Sequence, residues 1–276
     1  MPASIGEFPA RHEGIRAFRQ SRRPGFSDCA PSGRMRLDAI ACWLQDVAYA
    51  DVADADLQDV AVWVVRRTRI RVDRFPRFGE RFELTTFCSG VGRMWAERRT
   101  DVRLIEQSPP EPSGAMPSHG PSGDALPCVQ AVSLWVHLDG ERWRPSPLTE
   151  AELATYGPAP PLRRVSARLR HPAPERLDDG DSWRFRATEC DIADHVNNAA
   201  YWQPLEEELL RGPDPTEIDV EIEYRNPAQP GSKRLLGDGE WRWIVGEDGE
   251  LHASILIAAA PAVGADADLS AARDGG

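Results

Sequence analysis

No apolar run in this chain approaches the ~20 residues that a helix needs to cross a bilayer. Met1 to Arg23 is polar and Arg-bearing, without the apolar core of a secretory signal, so a cytoplasmic protein is expected. The five cysteines, Cys29, Cys42, Cys88, Cys128 and Cys190, form no CxxC pair and show no metal-ligand spacing. An odd, scattered set of this kind argues for reduced thiols, most of them small core residues. Basic excess is missing too: the net charge is −11, which disfavours nucleic-acid binding, since that rests on neutralising phosphates. No metal cluster and no phosphate-binding Gly-rich loop is evident, so neither metal nor cofactor is expected.

What is present is enough chain, 276 residues, for one large domain or two of ordinary size. Leu37, Ile40, Ala41, Leu44, Val47 and Ala48 follow helical spacing and predict an amphipathic helix with one buried stripe. A strand is expected near Arg22 to Asp28. Val62 to Val72 reads as another, with Val64, Thr68, Ile70 and Val72 on one face and Arg67, Arg69 and Arg71 on the other. Glu80 to Ser89, Arg93 to Ile105 and Gln130 to Leu138 complete a run of antiparallel strands, with Gly90 and Gly92 as a hairpin signal. One helix followed by such a run is an α+β arrangement.

The second half repeats the plan. Strands are predicted at Trp183 to Thr188, Glu217 to Arg225, Arg234 to Val245 and Leu251 to Ala260. Asp28 and Gly33 stand before the first helix as Asp191 and Asp194 stand before the second, which suggests an internal repeat. Ile218, Val220, Ile222 and Tyr224 alternate with Glu217, Asp219, Glu221 and Glu223, giving a carboxylate face to match the Arg face of Val62 to Val72. Placed side by side, these strands would join unlike halves through ion pairs.

The expected division is 15–144 and 181–261 for the two halves, with a Pro- and Arg-rich connector at 145–180 between them. The Pro-, Ser- and Gly-rich stretch 106–127 reads as a mobile excursion from a hairpin, and 262–276 as a disordered tail. Arg163, Arg164, Arg168 and Arg170 make the densest basic cluster. A solvated linker is one reading of it, a contact for an acidic partner the other.

Ordinary packing explains Thr188 to Trp202 least. Asp191 and His195 flank the point where a strand should give way to a helix, with Asn197 and Asn198 as N-cap candidates and Trp202, Leu205 and Leu209 at helical spacing. Unpaired N–H groups at that helix start could polarise a carbonyl oxygen. Pro204 predicts an irregular helix. Caps and a hydrogen-bonded structural His are the bland alternative.

His195-Val196-Asn197-Asn198 followed by Tyr201, with Asp191 four positions before the His, resembles the signature of the acyl-acyl carrier protein (acyl-ACP) thioesterases. Gly33-Arg34-Met35-Arg36-Leu37 leading into Trp43-Leu44-Gln45 is similar to the opening helix of bacterial members. The resemblance implies a tandem, or double, hotdog: in each half a long helix wrapped by a curved antiparallel sheet. It also implies hydrolysis of fatty acyl thioesters carried by acyl carrier protein, with acyl-CoA as the alternative substrate, at one site per chain. Asp191 would be the base on water, or a nucleophile, and His195 would orient water or thioester. N–H groups around Val196 and Asn197 would bind the oxyanion, with Asn197 and Asn198 shaping the loop. Arg163, Arg164, Arg168 and Arg170 would contact the carrier, and Trp43, Trp63, Trp95 and Trp135 are candidate acyl-binding walls.

The sequence departs from plant members, which carry Asp-x-Asn-x-His-Val-Asn-Asn and a later acid and cysteine. Ala193 stands for the first Asn, and Pro227 and Ala228 hold the later positions. Cys190 is a conceivable but poorly directed nucleophile. Glu207 falls where relatives carry an acid, although a solvent-facing residue is the default. A hotdog hydratase or dehydratase and a catalytically silent acyl-binding protein remain as alternatives, and further homo-oligomerisation stays open.

Overall fold

The computed structural model describes residues 8–57, 62–105, 126–156, 166–177 and 180–258. The expected tail, most of the expected excursion at 106–127, and Arg163 and Arg164 lie outside them.

The first half contains β1 (Phe18–Arg22), α1 (Leu37–Asp54), β2 (Val62–Val72), β3 (Arg81–Val91), β4 (Trp95–Ile105) and β5 (Val129–Leu138), and α2 (Glu150–Thr155) follows it. The second contains β6 (Asp181–Phe185), a 3₁₀ run Asn198–Trp202 that passes into α3 (Gln203–Leu209), then β7 (Ile218–Tyr224), β8 (Gly231–Asp238), β9 (Trp241–Gly246) and β10 (Leu251–Ala258). All ten strands form one antiparallel sheet in the order β1-β3-β4-β5-β2-β7-β10-β9-β8-β6. Counted from the outside, each half runs first, third, fourth, fifth, second strand, so the halves share one topology and meet at β2 and β7. This is the α+β tandem hotdog that the resemblance implies. No helix among the described residues is long and apolar enough to cross a membrane.

The predicted stripe of α1 is buried throughout, and the helix runs on to Asp54. Asp51 anchors its last turns, accepting from Arg98 Nη1 and Arg16 Nη1, each at 2.6 Å. In the second half Pro204 sits at the start of α3, and the helix is irregular as expected but, at 7 residues, shorter than the long helix that the resemblance implies for each half. Met35, Ile40, Leu44, Ile70 and Val72 pack in one core with Val196, Trp202, Leu205, Val220 and Ile222, so the halves share an interior.

Several boundaries differ from the sequence reading. The first strand is Phe18–Arg22, and Phe26–Asp28 is a 3₁₀ turn instead. A bulge between Val65 and Arg67 shifts the alternation of β2, so that Val65 enters the core where Val64 was expected. Arg234 to Val245 is two strands, β8 and β9, folded back at Gly239, whose φ of +53° suits glycine. The connector holds α2, started by a reciprocal cap in which Thr149 Oγ1 accepts from Glu152 N and Glu152 Oε2 accepts from Thr149 N.

At the seam the Arg and carboxylate faces do meet. Arg69 binds Asp219 through Nε to Oδ1 at 2.8 Å and Nη2 to Oδ2 at 2.6 Å, and Arg67 Nε lies 3.9 Å from Glu221 Oε2. In register Arg69 stands opposite Glu221, so these pairs run diagonally. The connector lies on this outer face: the N–H groups of Arg170 and His171 both donate to the Glu223 carboxylate, and His171 Nε2 lies 3.1 Å from Glu221 Oε1. The side chains of Arg168 and Arg170 remain exposed.

Candidate active site

Two loops, one in each half, are built alike and lead into the central helices. In the first, Cys29 bridges Met35, Gly33 N donates to Ala30 O, and Arg36 N donates to Asp28 O. In the second, Cys190 bridges Val196, Asp194 N donates to Asp191 O, and Asn197 N donates to Glu189 O. Each follows a 3₁₀ turn, and each reverses through a left-handed residue, Gly33 at φ +84° and Asp194 at φ +60°. Asp is among the few side chains that tolerate that conformation. The internal repeat is therefore present with one change of alignment. Gly33 matches Asp194 as expected, but Asp28 matches Glu189, and the partner of Asp191 is Ala30. Arg34 stands where the second loop has His195.

In the second loop, Asp191 Oδ1 accepts from Ala193 N at 2.9 Å, and Asp191 Oδ2 accepts from Asn197 Nδ2 at 3.0 Å. Ala193 thus supplies through its main chain a contact to the carboxylate, although it lacks the side chain of the plant pattern. His195 Nδ1 is 3.9 Å from Asp191 Oδ1, outside hydrogen-bond range, and 3.3 Å from Val196 O. That neighbour favours the tautomer with the proton on Nδ1 and leaves Nε2 as acceptor. Both side chains keep a quarter of their surface exposed. Asn197 is the N-cap: its Oδ1 accepts from Ala199 N at 2.8 Å and from Gln45 Nε2, on α1 of the first half, also at 2.8 Å.

The N–H groups expected to bind an oxyanion are occupied. Val196 N donates to Ala228 O at 2.9 Å and Asn197 N to Glu189 O at 2.8 Å, because both residues edge the closed loop. Among the described residues, Asn198 N, first of the 3₁₀ run, has no acceptor and is the donor left at this helix start.

Tyr201 closes the loop from behind. Its hydroxyl accepts from Ala228 N at 2.8 Å, and Ala228 O in turn holds Val196. Burial first, and the nearby Asp191 charge among lesser causes, pushes the Tyr201 phenol up to about 12. Ala228, where plant members have chemistry, is fully buried and structural.

Asn198 and Ala199 line a narrow crevice together with Gln45, Trp135, Trp202 and Tyr224. Gln45 and Trp135 also line a mostly apolar cavity of about 180 Å³ in the first half, with Ala48, Tyr49, Val52 and Trp63. Of the four tryptophans singled out, Trp63 and Trp135 reach this cavity, and Trp43 packs on Phe82 in the core. A wider groove of about 450 Å³ lies under α3, and neither Asp191 nor His195 lines any of these three spaces; the crevice comes nearest, at Asn198 and Ala199.

Other candidates stand apart. Glu207 is exposed; the buried acid is its neighbour Glu206. Cys88 and Cys128 are buried thiols pushed up to about 11 by that burial, the reverse of nucleophile activation. Arg168 and Arg170 belong to the outer face, whereas the loop borders the inner one. His171, Glu221 and Glu223 approach one another as metal ligands would, but the Glu223 oxygens accept main-chain N–H groups and Glu221 faces His171 and Arg67.

Gln45 and Tyr201 are the site residues that the sequence reading did not single out for a role. Gln45 lies 152 positions from its partner, and no local pattern announces such a contact.

Residues 17–108 match the family model for the acyl-ACP thioesterase N-terminal domain. Uncharacterised proteins of two Mycobacterium tuberculosis strains are each 25% identical over 200 residues, covering 72% of this chain and 72% of theirs. Among solved structures, one described as an oleoyl thioesterase from Lactobacillus plantarum has a TM-score of 0.68 at 18% identity, covering 89% of this chain and 96% of its own. An acyl-ACP thioesterase from Bacteroides thetaiotaomicron has 0.67 at 16%, and the 12:0-ACP thioesterase from Umbellularia californica 0.64 at 15%; each covers 87% of this chain and 96% of its own. Residues 17–108 are thus similar to the N-terminal domain of the acyl-ACP thioesterase family, and the chain shares along its length the tandem hotdog fold of these solved structures.

Proposed function

We propose that this protein hydrolyses fatty acyl thioesters in the cytoplasm, with acyl-ACP as the physiological substrate. The observation that carries the reading is the Asp191 carboxylate, held by Ala193 N and Asn197 Nδ2 beside His195, in a loop that leads into Asn198 and Ala199, whose crevice shares Gln45 and Trp135 with an apolar cavity.

Asp191 accepts a proton from water, and the water oxygen attacks the thioester carbonyl carbon. Charge developing on the carbonyl oxygen is met by Asn198 N–H, a contribution of about 3 kcal/mol for one such donor in comparable sites. His195 orients the water or the thioester. The C–S bond then breaks, the thiolate recovers the proton from Asp191, and the acid and the carrier thiol leave. The acyl chain lies in the cavity of the first half. Arg168 and Arg170, with Arg163 and Arg164, serve as the carrier contact, a local exception to the acidic whole.

Thiol release from a panel of acyl-ACP and acyl-CoA thioesters of increasing chain length tests this reading. Turnover with a higher kcat/KM for carrier-bound substrates is expected. A preference for CoA would overturn the choice of carrier, and inertness towards every thioester would favour an acyl-binding protein.

A further inference from the structure

Asp191 is held in place from the far side of the molecule. Asn197 Nδ2 can donate to Asp191 only while Asn197 Oδ1 points the other way; a flipped amide would set oxygen against carboxylate. Two donors hold Oδ1 there, Ala199 N from the same turn and Gln45 Nε2 from α1, each at 2.8 Å. Gln45 is also common to the crevice at Asn198 and the apolar cavity beyond it.

The repeat offers an internal comparison. Gln45 and Glu206 lie the same number of residues beyond Cys29 and Cys190, and each reaches the opposite half's loop. Glu206 Oε2 accepts from Leu37 N at 3.0 Å, and its Oε1 lies 2.8 Å from Arg34 Nη2, in an ion pair that is almost wholly buried. Arg34 Nε also donates to Asp214. One helix position therefore bridges the halves twice. Where the loop offers Ala30 and Arg34 the bridge is a buried ion pair, and where it offers Asp191 and His195 the bridge is an amide chain ending on the carboxylate.

We propose that Gln45 is a positioning residue of the hydrolysis, through which the first half orients Asp191 by way of Asn197 and ties it to the cavity that receives the acyl chain. The inference rests on the thioesterase reading above. The site is then incomplete in either half alone, and the acyl chain passes the residue that sets the base.

The test is kcat and KM for thiol release, on the panel's best substrate, by wild type, Gln45→Met, Gln45→Glu, Asn197→Ser and the double variants. Both Gln45 substitutions keep the side-chain length and remove the donor, so either can replace the other should one fold poorly. A fall in kcat between about 10- and 100-fold with a much smaller change in KM is expected, the scale of a misplaced catalytic group. In the Asn197→Ser background, Gln45→Met should add less than about twofold, because residues acting through one contact are not additive. Glu206→Gln, the structural counterpart, should lower Tm and leave kcat near wild type. Wild-type kcat in both Gln45 variants, or a loss that multiplies in full on Asn197→Ser, overturns the proposal while leaving the thioesterase reading intact. An inert wild type, or an Asp191→Ala variant as active as wild type, overturns both.

Discussion

Tyr201 shows how much of the Asp191 loop is held by a residue outside it. Its hydroxyl gives Ala228 N–H an acceptor, and Ala228 O secures Val196 N between the two residues that flank the carboxylate. Tyr201→Phe leaves a buried donor unpaired, at a cost of about 1–3 kcal/mol. Each kcal/mol is worth roughly 2–4 °C in a chain of this size, so Tm should fall by about 2–12 °C, measured by calorimetry. An unchanged Tm would mean that the loop does not depend on this contact. At this scale Asp191, His195 and Asn197 were legible because they crowd into one short stretch at a helix start. Gln45 was not, because its contact is made only when the two halves come together. The reading of Val196 and Asn197 N–H as oxyanion donors failed for the same reason. Their acceptors, Ala228 and Glu189, become neighbours only in the folded loop.

The halves are joined at the level of elements by β2 and β7. Each strand alone reads as half-buried, and the complementary signs of their outer faces were visible in the alternation of Arg67, Arg69 and Arg71 against Asp219, Glu221 and Glu223. Asp219→Arg sets like charges together in a largely buried setting and should destabilise by about 3–5 kcal/mol in denaturant unfolding. Adding Arg69→Asp should recover between about 0.5 and 3 kcal/mol through restored pairing. If the double variant is as unstable as the sum of the singles, the pair is not what aligns the seam. Elements with weaker patterns were lost to the sequence reading although cues existed. Asp238-Gly239 is a hairpin signal inside what read as one long strand, and Thr149 with Glu152 is a capping box inside what read as a featureless linker. The bulge at Val65 has no such cue, since it depends on how β2 meets β5.

For the whole molecule, one topology is used twice, and only the second of its two matching loops carries an Asp–His pair, Asp191 and His195. The repeat was faintly legible, through Gly33 and Asp194, but its alignment required the paired bridges Cys29–Met35 and Cys190–Val196. With Ala30 and Arg34 in the places of Asp191 and His195, the first loop has no base. It has become part of the ion-pair network of Arg34, Glu206 and Asp214 that fastens the halves together. The proposed hydrolysis therefore depends on a single carboxylate per chain, and Asp191→Asn keeps its shape while removing its basicity. Thiol release from the preferred acyl thioester should fall by about 10²- to 10⁴-fold in this variant, the usual worth of a general base, with the circular dichroism spectrum unchanged. Turnover equal to wild type in a folded Asp191→Asn protein would contradict the account.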